Sequence, residues 1–347
     1  MRNRTVVGLD YLKTKQNLRY IYLNQGAFDT VPASGGDYSG FNGSSMGSLY
    51  SNPANIGNFD QDNLINTYSA YFSNVFTPLK GLNVVFGLRY ENNDAQEGKY
   101  FMSTVDAYNQ TAFSPKAGLV YQIVPDKFSV FGNYQNSFKS NGYYISGTAS
   151  DPVLSDPERA NQFEGGFKAN LINGKINASL SYYDIKVKNL LLGTGEFNQA
   201  GVAVEVQNGE TQSKGMELEV NAYLVKGFSL IGGVAYNDTR DLKTNLRPNT
   251  AGSYWLANFN ASYQFVDGKM KGLGFGVGGN YASDNNVTGN FILPKYFVLN
   301  ANAFYDTRKF RIGVKVDNFT NQKYWTGYTT ANPQKLANAL GTVTYKF

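Results

Sequence analysis

Apolar and polar residues alternate with a period of two from one end of this chain to the other. Leu82, Val84, Phe86, Leu88 and Tyr90 fall on one strand face, with Asn83, Val85, Gly87 and Arg89 on the opposite face. Met216, Leu218, Val220, Ala222 and Leu224 alternate with Gly215, Glu217, Glu219, Asn221 and Tyr223. Phe310, Ile312, Val314 and Val316 alternate with Arg311, Gly313, Lys315 and Asp317. Trp255, Ala257, Phe259, Ala261, Tyr263 and Phe265 share a face opposite Asn258, Asn260, Ser262 and Gln264. Any one of these strands also fits a soluble sandwich whose polar face meets water. Repetition along the whole chain, without a helical stretch, favours a barrel.

The connectors come in two kinds, and they take turns. Short turns are expected at Pro78-Leu79-Lys80-Gly81, Val124-Pro125-Asp126-Lys127, Asn173-Gly174, Val225-Lys226-Gly227, Asp267-Gly268 and Asp306-Thr307-Arg308. Between them lie long polar segments at about 24–62, 92–111, 139–160, 191–204, 239–252, 283–294 and 324–340. Short turns at one end and long loops at the other are the layout of an outer-membrane barrel. The pattern predicts an all-β, antiparallel transmembrane β-barrel portion of about fourteen strands, the first at about 4–14. The outward face is expected to carry Phe86, Leu88, Leu218, Val220, Phe259, Ile312 and Val314. Arg89, Glu217, Glu219, Arg311 and Lys315 are expected to face inward.

The chain ends on the same alternation. Gly341, Val343, Tyr345 and Phe347 lie opposite Thr342, Thr344 and Lys346. A two-faced strand ending on an aromatic carboxy-terminal residue fits a closing barrel strand better than a fraying terminus.

Composition removes several function classes. The 347 residues contain no Cys and no His, which excludes thiol nucleophiles, imidazole bases, disulfides and Cys/His zinc sites. The 26 Tyr, 24 Phe and 37 Gly suit pleated surfaces, interfacial girdles and tight turns. Mean hydropathy is −0.37, and no apolar run is long enough for a membrane helix. A formal charge of +5 is scattered rather than blocked, so no nucleic-acid partner is expected. Asp60-Gln61-Asp62-Asn63 lacks a complete calcium-loop spacing, and no metal site is expected. Met1-Arg2-Asn3-Arg4 leads straight into strand-like sequence without an apolar leader. An exported barrel without a leader is expected to be incomplete at its amino end.

Five segments resemble the TonB-dependent outer-membrane receptors, specifically the siderophore-receptor branch. Phe86-Gly87-Leu88-Arg89-Tyr90-Glu91 resembles the "GLRY" strand, and Phe113-Ser114-Pro115-Lys116-Ala117-Gly118-Leu119-Val120-Tyr121 resembles "SP(K/R)xGLxY". Asp156 to Lys168 is similar to "PExxxxxExGxK". Gly209-Glu210-Thr211-Gln212-Ser213-Lys214-Gly215-Met216-Glu217-Leu218-Glu219 is similar to "GExxSxGxExE", the most specific of the five. Val316-Asp317-Asn318-Phe319-Thr320-Asn321-Gln322-Lys323-Tyr324 resembles "NLFDKKY". Each segment also reads as barrel architecture: glycines at crowded bends, and Glu217 and Glu219 wetting a lumen wall.

The resemblance implies a barrel of about 22 strands with an amino-terminal plug that contacts TonB. Residues 1–347 would then be a partial barrel without a plug, the last fourteen strands of the parent. It implies outer-membrane localisation, no catalytic residues, no cofactor, and a ferric siderophore as transported ligand. The implied partners are outer-membrane lipid, the barrel-assembly machinery and, only through the missing plug, TonB. Val343, Tyr345 and Phe347 resemble the terminal signal read by that assembly machinery. Candidate ligand-binding residues, chosen for aromatic faces and cations near the loops, are Tyr143, Tyr144, Arg240, Arg247, Trp325 and Tyr328. For these residues, girdle or loop packing is the competing reading. Two other functions stay open: a passive fourteen-stranded pore, and a TonB-dependent receptor for another substrate such as cobalamin or glycans.

Overall fold

The computed structural model describes residues 1–23, 43–101, 103–147, 151–198, 202–288, 291–327 and 330–347. Its centre is one antiparallel sheet of 16 strands, two of them the short strands Gly98–Tyr100 and Ser103–Val105, which leaves fourteen long ones. These are β1 (Arg2–Leu23), β2 (Ile56–Leu79), β3 (Leu82–Ala95), β4 (Tyr108–Val124), β5 (Phe128–Lys139), β6 (Glu158–Leu171) and β7 (Ile176–Phe197). They continue as β8 (Ala203–Ala222), β9 (Phe228–Asp241), β10 (Trp255–Gln264), β11 (Leu273–Ala282), β12 (Tyr296–Asp306), β13 (Phe310–Asp317) and β14 (Asn338–Tyr345). Each pairs with its sequence neighbours. Among the described residues β1 pairs only with β2 and β14 only with β13, so the sheet is not closed.

The short turns all lie at one end, as the alternation of connectors requires. Ile172, Asn173 and Gly174 carry φ of 50, 54 and 88°, and the Lys175 N–H donates to the Ile172 carbonyl across the turn. Gly227 and Gly268 carry φ of 83 and 77° in the corresponding β8–β9 and β10–β11 turns. The first long segment holds a nine-residue helix, α1 (Gly43–Ser51), confined to the loop side.

Strands at the loop end run further than alternation indicates. β1 extends to Leu23 rather than to 14, and β2 begins at Ile56, inside the segment expected to be loop. β7 and β8 likewise leave only a short connection, Phe197 to Ala203. Above the membrane both faces are wet, so the contrast between faces vanishes while the backbone ladder continues. Asn17 still pairs with Asp62, and Arg19 with Asp60. Asp60 pins this tall ribbon through Arg19 Nε at 3.2 Å and Lys99 Nζ at 3.2 Å.

The cross-strand register sorts the two faces cleanly. Leu180 lies opposite Leu218, Leu218 opposite Val234, and Val234 opposite Ala257. Further along the sheet, Ile312 meets Val343, and Phe86 meets Ala117. All seven side chains expected to face outward share this apolar face. Phe86, Leu218 and Ile312 remain 46, 42 and 53% exposed in the isolated chain, which only lipid can cover. Aromatic pairs rim the band: Tyr90 with Phe113, Tyr134 with Phe163 and Tyr236 with Trp255 on the loop side, Phe128 with Phe167 and Phe310 with Tyr345 on the turn side. The opposite face carries Arg89, Glu217, Glu219, Arg311 and Lys315 with serines, asparagines and glycines. Among the described residues there is no sandwich core. Buried apolar side chains such as Ile145, Val204, Val287 and Leu293 gather at the loop end instead.

This register makes a sharp prediction. Val220→Arg places a cation on the lipid face and is expected to cost about 2–4 kcal/mol in folding titrations in lipid vesicles. Glu219→Arg, one residue away on the wet face, should be far milder. The reverse order would mean a register slip of one residue.

Candidate functional site: the outer loop layer and lumen wall

The loops above β4 to β8 build a small core of their own. Tyr143–Ile145 pairs with Pro152–Leu154 as a hairpin. Ile145 packs with Val202 from the β7–β8 connection and Val204 at the start of β8, backed by Tyr100 and Phe101 from the β3–β4 loop. Polar contacts lock the same layer. Gln110 Nε2 donates to the Ser155 carbonyl at 2.6 Å, Ser155 Oγ to the Gly142 carbonyl at 2.7 Å, and the Asp156 N–H to Gln207 Oε1 at 2.7 Å.

Two of the sequence-derived candidates belong to this fastening. Tyr144 is 9% exposed within the layer. Tyr143 stands edge-on to Tyr108 at 5.6 Å and donates its hydroxyl to the Asp106 carbonyl at 2.9 Å. Burial, then the neighbouring Asp106 and Tyr108, pushes the Tyr143 phenol up from its ordinary range. Burial, reinforced by Glu205, pushes Tyr100 further, to about 12.

Arg240 and Arg247 share Asp238. Arg240 Nε lies 2.8 Å and Arg247 Nη1 3.8 Å from Asp238 Oδ1. Arg247 stacks over Tyr254 at 3.8 Å from the ring centroid and donates to the carbonyls of Asn237, Ala251 and Gly252. Its side chain is only 12% exposed, and burial lowers its pKa from the ordinary value. Alternation along β9 places Arg240 in the same column as Val234 and Tyr236, on the outer wall rather than over the lumen.

Trp325 sits in a third place. It opens the short strand Trp325–Thr326, paired with Asn332–Pro333, and is 37% exposed. Tyr328 lies outside the described residues. The structure therefore distributes the candidates over separate loops, Tyr143 with Tyr144 and Arg240 with Arg247.

Two motifs gain a physical account that sequence reading missed. A Cβ at Gly215 would lie 2.4 Å from the Tyr183 hydroxyl and 2.4 Å from the Tyr236 carbonyl, so glycine is required there. Asn237 Nδ2 in turn donates to Tyr183 Oη at 2.8 Å and to Ser213 Oγ at 2.6 Å. Asn318, 3% exposed with φ 50°, receives the Gln322 N–H at Oδ1 and donates Nδ2 to the carbonyls of Gln322 and Lys335. It ties the last loop to itself, a job for a residue that tolerates left-handed backbone while offering an amide.

On the inner wall, Arg89 reaches Asp10 at 2.9 Å, Glu91 at 3.0 Å and Ser69 at 2.8 Å. Beside it a recess of about 570 Å³ is lined by Lys116, Phe131, Glu164, Lys168, Glu217 and Glu219. Lys116, Glu164 and Lys168 were not singled out in the sequence, although their parity with Arg89 and Glu217 carries the signal. Val343 and Tyr345 point outward, the Tyr345 ring tilted against Phe310 at 5.1 Å and edge-on to Phe347 at 5.0 Å. No cluster of three or more Asp or Glu that could hold a metal occurs among the described residues.

A family model for the TonB dependent receptor-like β-barrel matches residues 2–319. The chain belongs to this family. It is an outer-membrane β-barrel chain. The metal-pseudopaline receptor CntO of Pseudomonas aeruginosa is 30% identical over 237 residues, 65% of this chain and 32% of that protein. The ferric-pyoverdine BN7/BN8 receptor of Pseudomonas putida is 26% identical over 269 residues, 74% of this chain and 31% of that protein. The crystal structure of the siderophore receptor PiuA from Acinetobacter baumannii matches with a TM-score of 0.75 and 18% identity, covering 99% of this chain and 53% of that one. The chain spans about a third of the length of these curated relatives.

Two outcomes follow from the loop layer. Because Tyr100 holds its proton up to about pH 12 against an ordinary 10.0, the folded layer binds a proton that the opened layer has released. Its contribution is complete below pH 10.0 and is lost as pH rises towards 12. Tyr100→Phe should remove that part of the alkaline loosening, read as protease cleavage of the loops against pH and as one fewer high-pH tyrosine in an ultraviolet titration. Asn318→Ala should cost about 3 kcal/mol through lost amide bonds and left-handed strain, with Asn318→Gly recovering only the strain. Denaturant unfolding of the reconstituted chain measures both variants.

Proposed function

We propose that residues 1–347 form the last fourteen strands of a TonB-dependent receptor for ferric siderophores, and that a plug and the remaining barrel strands lie outside them. The observation that carries the reading is that β1 and β14 each have only one strand neighbour among the described residues, on a chain spanning about a third of relatives named as metallophore or siderophore receptors. Lipid penalises open sheet edges, so strands from beyond this chain are the natural partners of both. The ligand is a ferric siderophore taken up at the loop end, with Trp325 and Tyr328 as candidate contacts, Tyr143 and Tyr144 supporting the loop that frames them, and Arg240 and Arg247, held by Asp238, bracing the β9–β10 loop. TonB acts through the plug. Val343, Tyr345 and Phe347 serve as the terminal signal for the assembly machinery. The role is transport, with no catalytic group.

The test separates the portion from the whole. Expressed alone in a receptor-deleted strain, residues 1–347 are expected to give no energised iron uptake, and in planar bilayers either misassembly or a leaky, non-saturating conductance. Joined to an amino-terminal plug and the missing strands, they should support saturable, TonB-dependent uptake. Saturable siderophore import by residues 1–347 alone would overturn the reading.

A further inference from the structure

The six short turns at the membrane-distal end from the loops carry a row of cations. Lys80, Lys127, Lys175 and Lys226 stand in the β2–β3, β4–β5, β6–β7 and β8–β9 turns, Lys269 in β10–β11 and Lys309 in β12–β13. Lys271 and Arg308 stand beside the last two. All are exposed, and none has a carboxylate in ion-pair contact among the described residues. Lys175 Nζ donates only to the Leu224 carbonyl, at 3.2 Å. The same turns hold the carboxylates of Asp126, Asp267 and Asp306, and Asp306 is already taken by Lys346 and by Arg311 Nη1 at 3.6 Å. Every turn therefore presents positive charge that its neighbours leave largely uncompensated, and an anionic partner relieves the resulting repulsion.

The row is also stiff. Each turn offers a carbonyl to the backbone beside the next turn along, and the last offers one to the end of β14. Gly81 accepts the Gln122 N–H at 2.8 Å, Lys127 that of Asn170 at 2.7 Å, and Lys175 that of Tyr223 at 2.7 Å. Gly227 accepts from Gln264, Gly272 from Asp306 and Lys309 from Lys346, each at 2.8 Å. The chains approach so closely that a Cβ on Gly227 or Gly272 would lie 2.0 or 2.2 Å from the carbonyl oxygen of Gln264 or Asp306. Neighbouring strands are roughly 4.8 Å apart, so successive turns recur at roughly 10 Å. The result is a comb of cations at fixed intervals on a backbone that is already ordered.

We propose that this comb docks on a carboxylate-bearing glycan–peptide polymer of the periplasm, whose acidic peptides meet one turn after another and tether the barrel from below. The short turns of an outer-membrane barrel face that compartment. Each exposed contact is weak and screened by salt. Contacts held at fixed spacing on one rigid body add, because each later one forms at the effective concentration set by the first. Carboxylates recurring along a polymer match cations recurring along the comb, whereas fluid lipid headgroups need no fixed spacing at all. Only the inward orientation of the turns enters, not the cargo, so a failure of iron uptake leaves the docking surface standing.

The experiment uses the chain refolded in detergent, its fold checked by heat-modifiable gel migration, and co-sedimented with purified peptidoglycan sacculi at low salt. Lys127→Gln, Lys175→Gln and Lys226→Gln together should weaken binding about eightfold, at roughly twofold per exposed ion pair. Adding Lys80→Gln, Lys269→Gln and Lys309→Gln should bring the loss to about sixtyfold on the same scale. Lys→Arg at the same positions should keep binding. Arg159→Gln, Lys186→Gln and Lys188→Gln remove the same charge as the first set from the loop-side half and should leave binding unchanged. Turn variants that bind as tightly as the unchanged chain overturn the proposal, as does equal binding to sacculi whose carboxylates have been converted to amides. So does retention of phosphatidylglycerol in the micelle that the turn substitutions abolish while sacculus binding persists, which would make lipid the occupant. If the chain misassembles alone, the same substitutions in the receptor-length protein carry the test with the same outcomes.

Discussion

In hydrocarbon, each backbone N–H and C=O has only another backbone group for a partner, and that requirement shapes everything else in this chain. It forces every long strand into one continuous antiparallel ladder, which in turn locks side chains to one face or the other. A single face assignment, once correct at Leu218, propagates through Leu180, Val234 and Ala257 without a choice remaining. The same requirement is what makes the two flanks conspicuous. Among the described residues, β1 and β14 each have a single strand neighbour.

What could be read from the sequence follows from this. Strand number, turn placement and the inward or outward aim of Arg89, Glu217, Ile312 and Val314 depend only on a period of two, which the residues spell out. The tall upper parts of β1, β2, β7 and β8 escape that reading, because water on both sides removes the contrast that marks a strand. The loop core of Ile145, Val202 and Val204 escapes it for another reason: its members come together across long sequence separations, and nothing in any one loop announces the others. Arg240 was chosen for its charge and its place beside the 239–252 loop; counting by twos from Val234 through Tyr236 and Asp238 sets it on the outer wall.

The motifs divide along a similar line. Ser213 and Gly215 hold Tyr183 and Asn237 in place, and Asn318 closes the final loop upon itself. These residue types answer to crowding and backbone handedness, so a motif match here speaks first for the frame. On the surfaces that the frame presents, the loop tips and the inner recess, residue type alone discriminates poorly between packing and binding.

The unequal strand lengths have a mechanical meaning. β2 has 24 residues and β7 has 22, whereas β13 and β14 have 8 each. All begin from the same row of turns, so the mouth is cut obliquely, with walls differing by tens of ångströms along the strand. The backbone ladder is therefore tall at β2 and β7 and low at β13 and β14, where the connection tied by Asn318, rather than the strands themselves, carries the chain above the sheet.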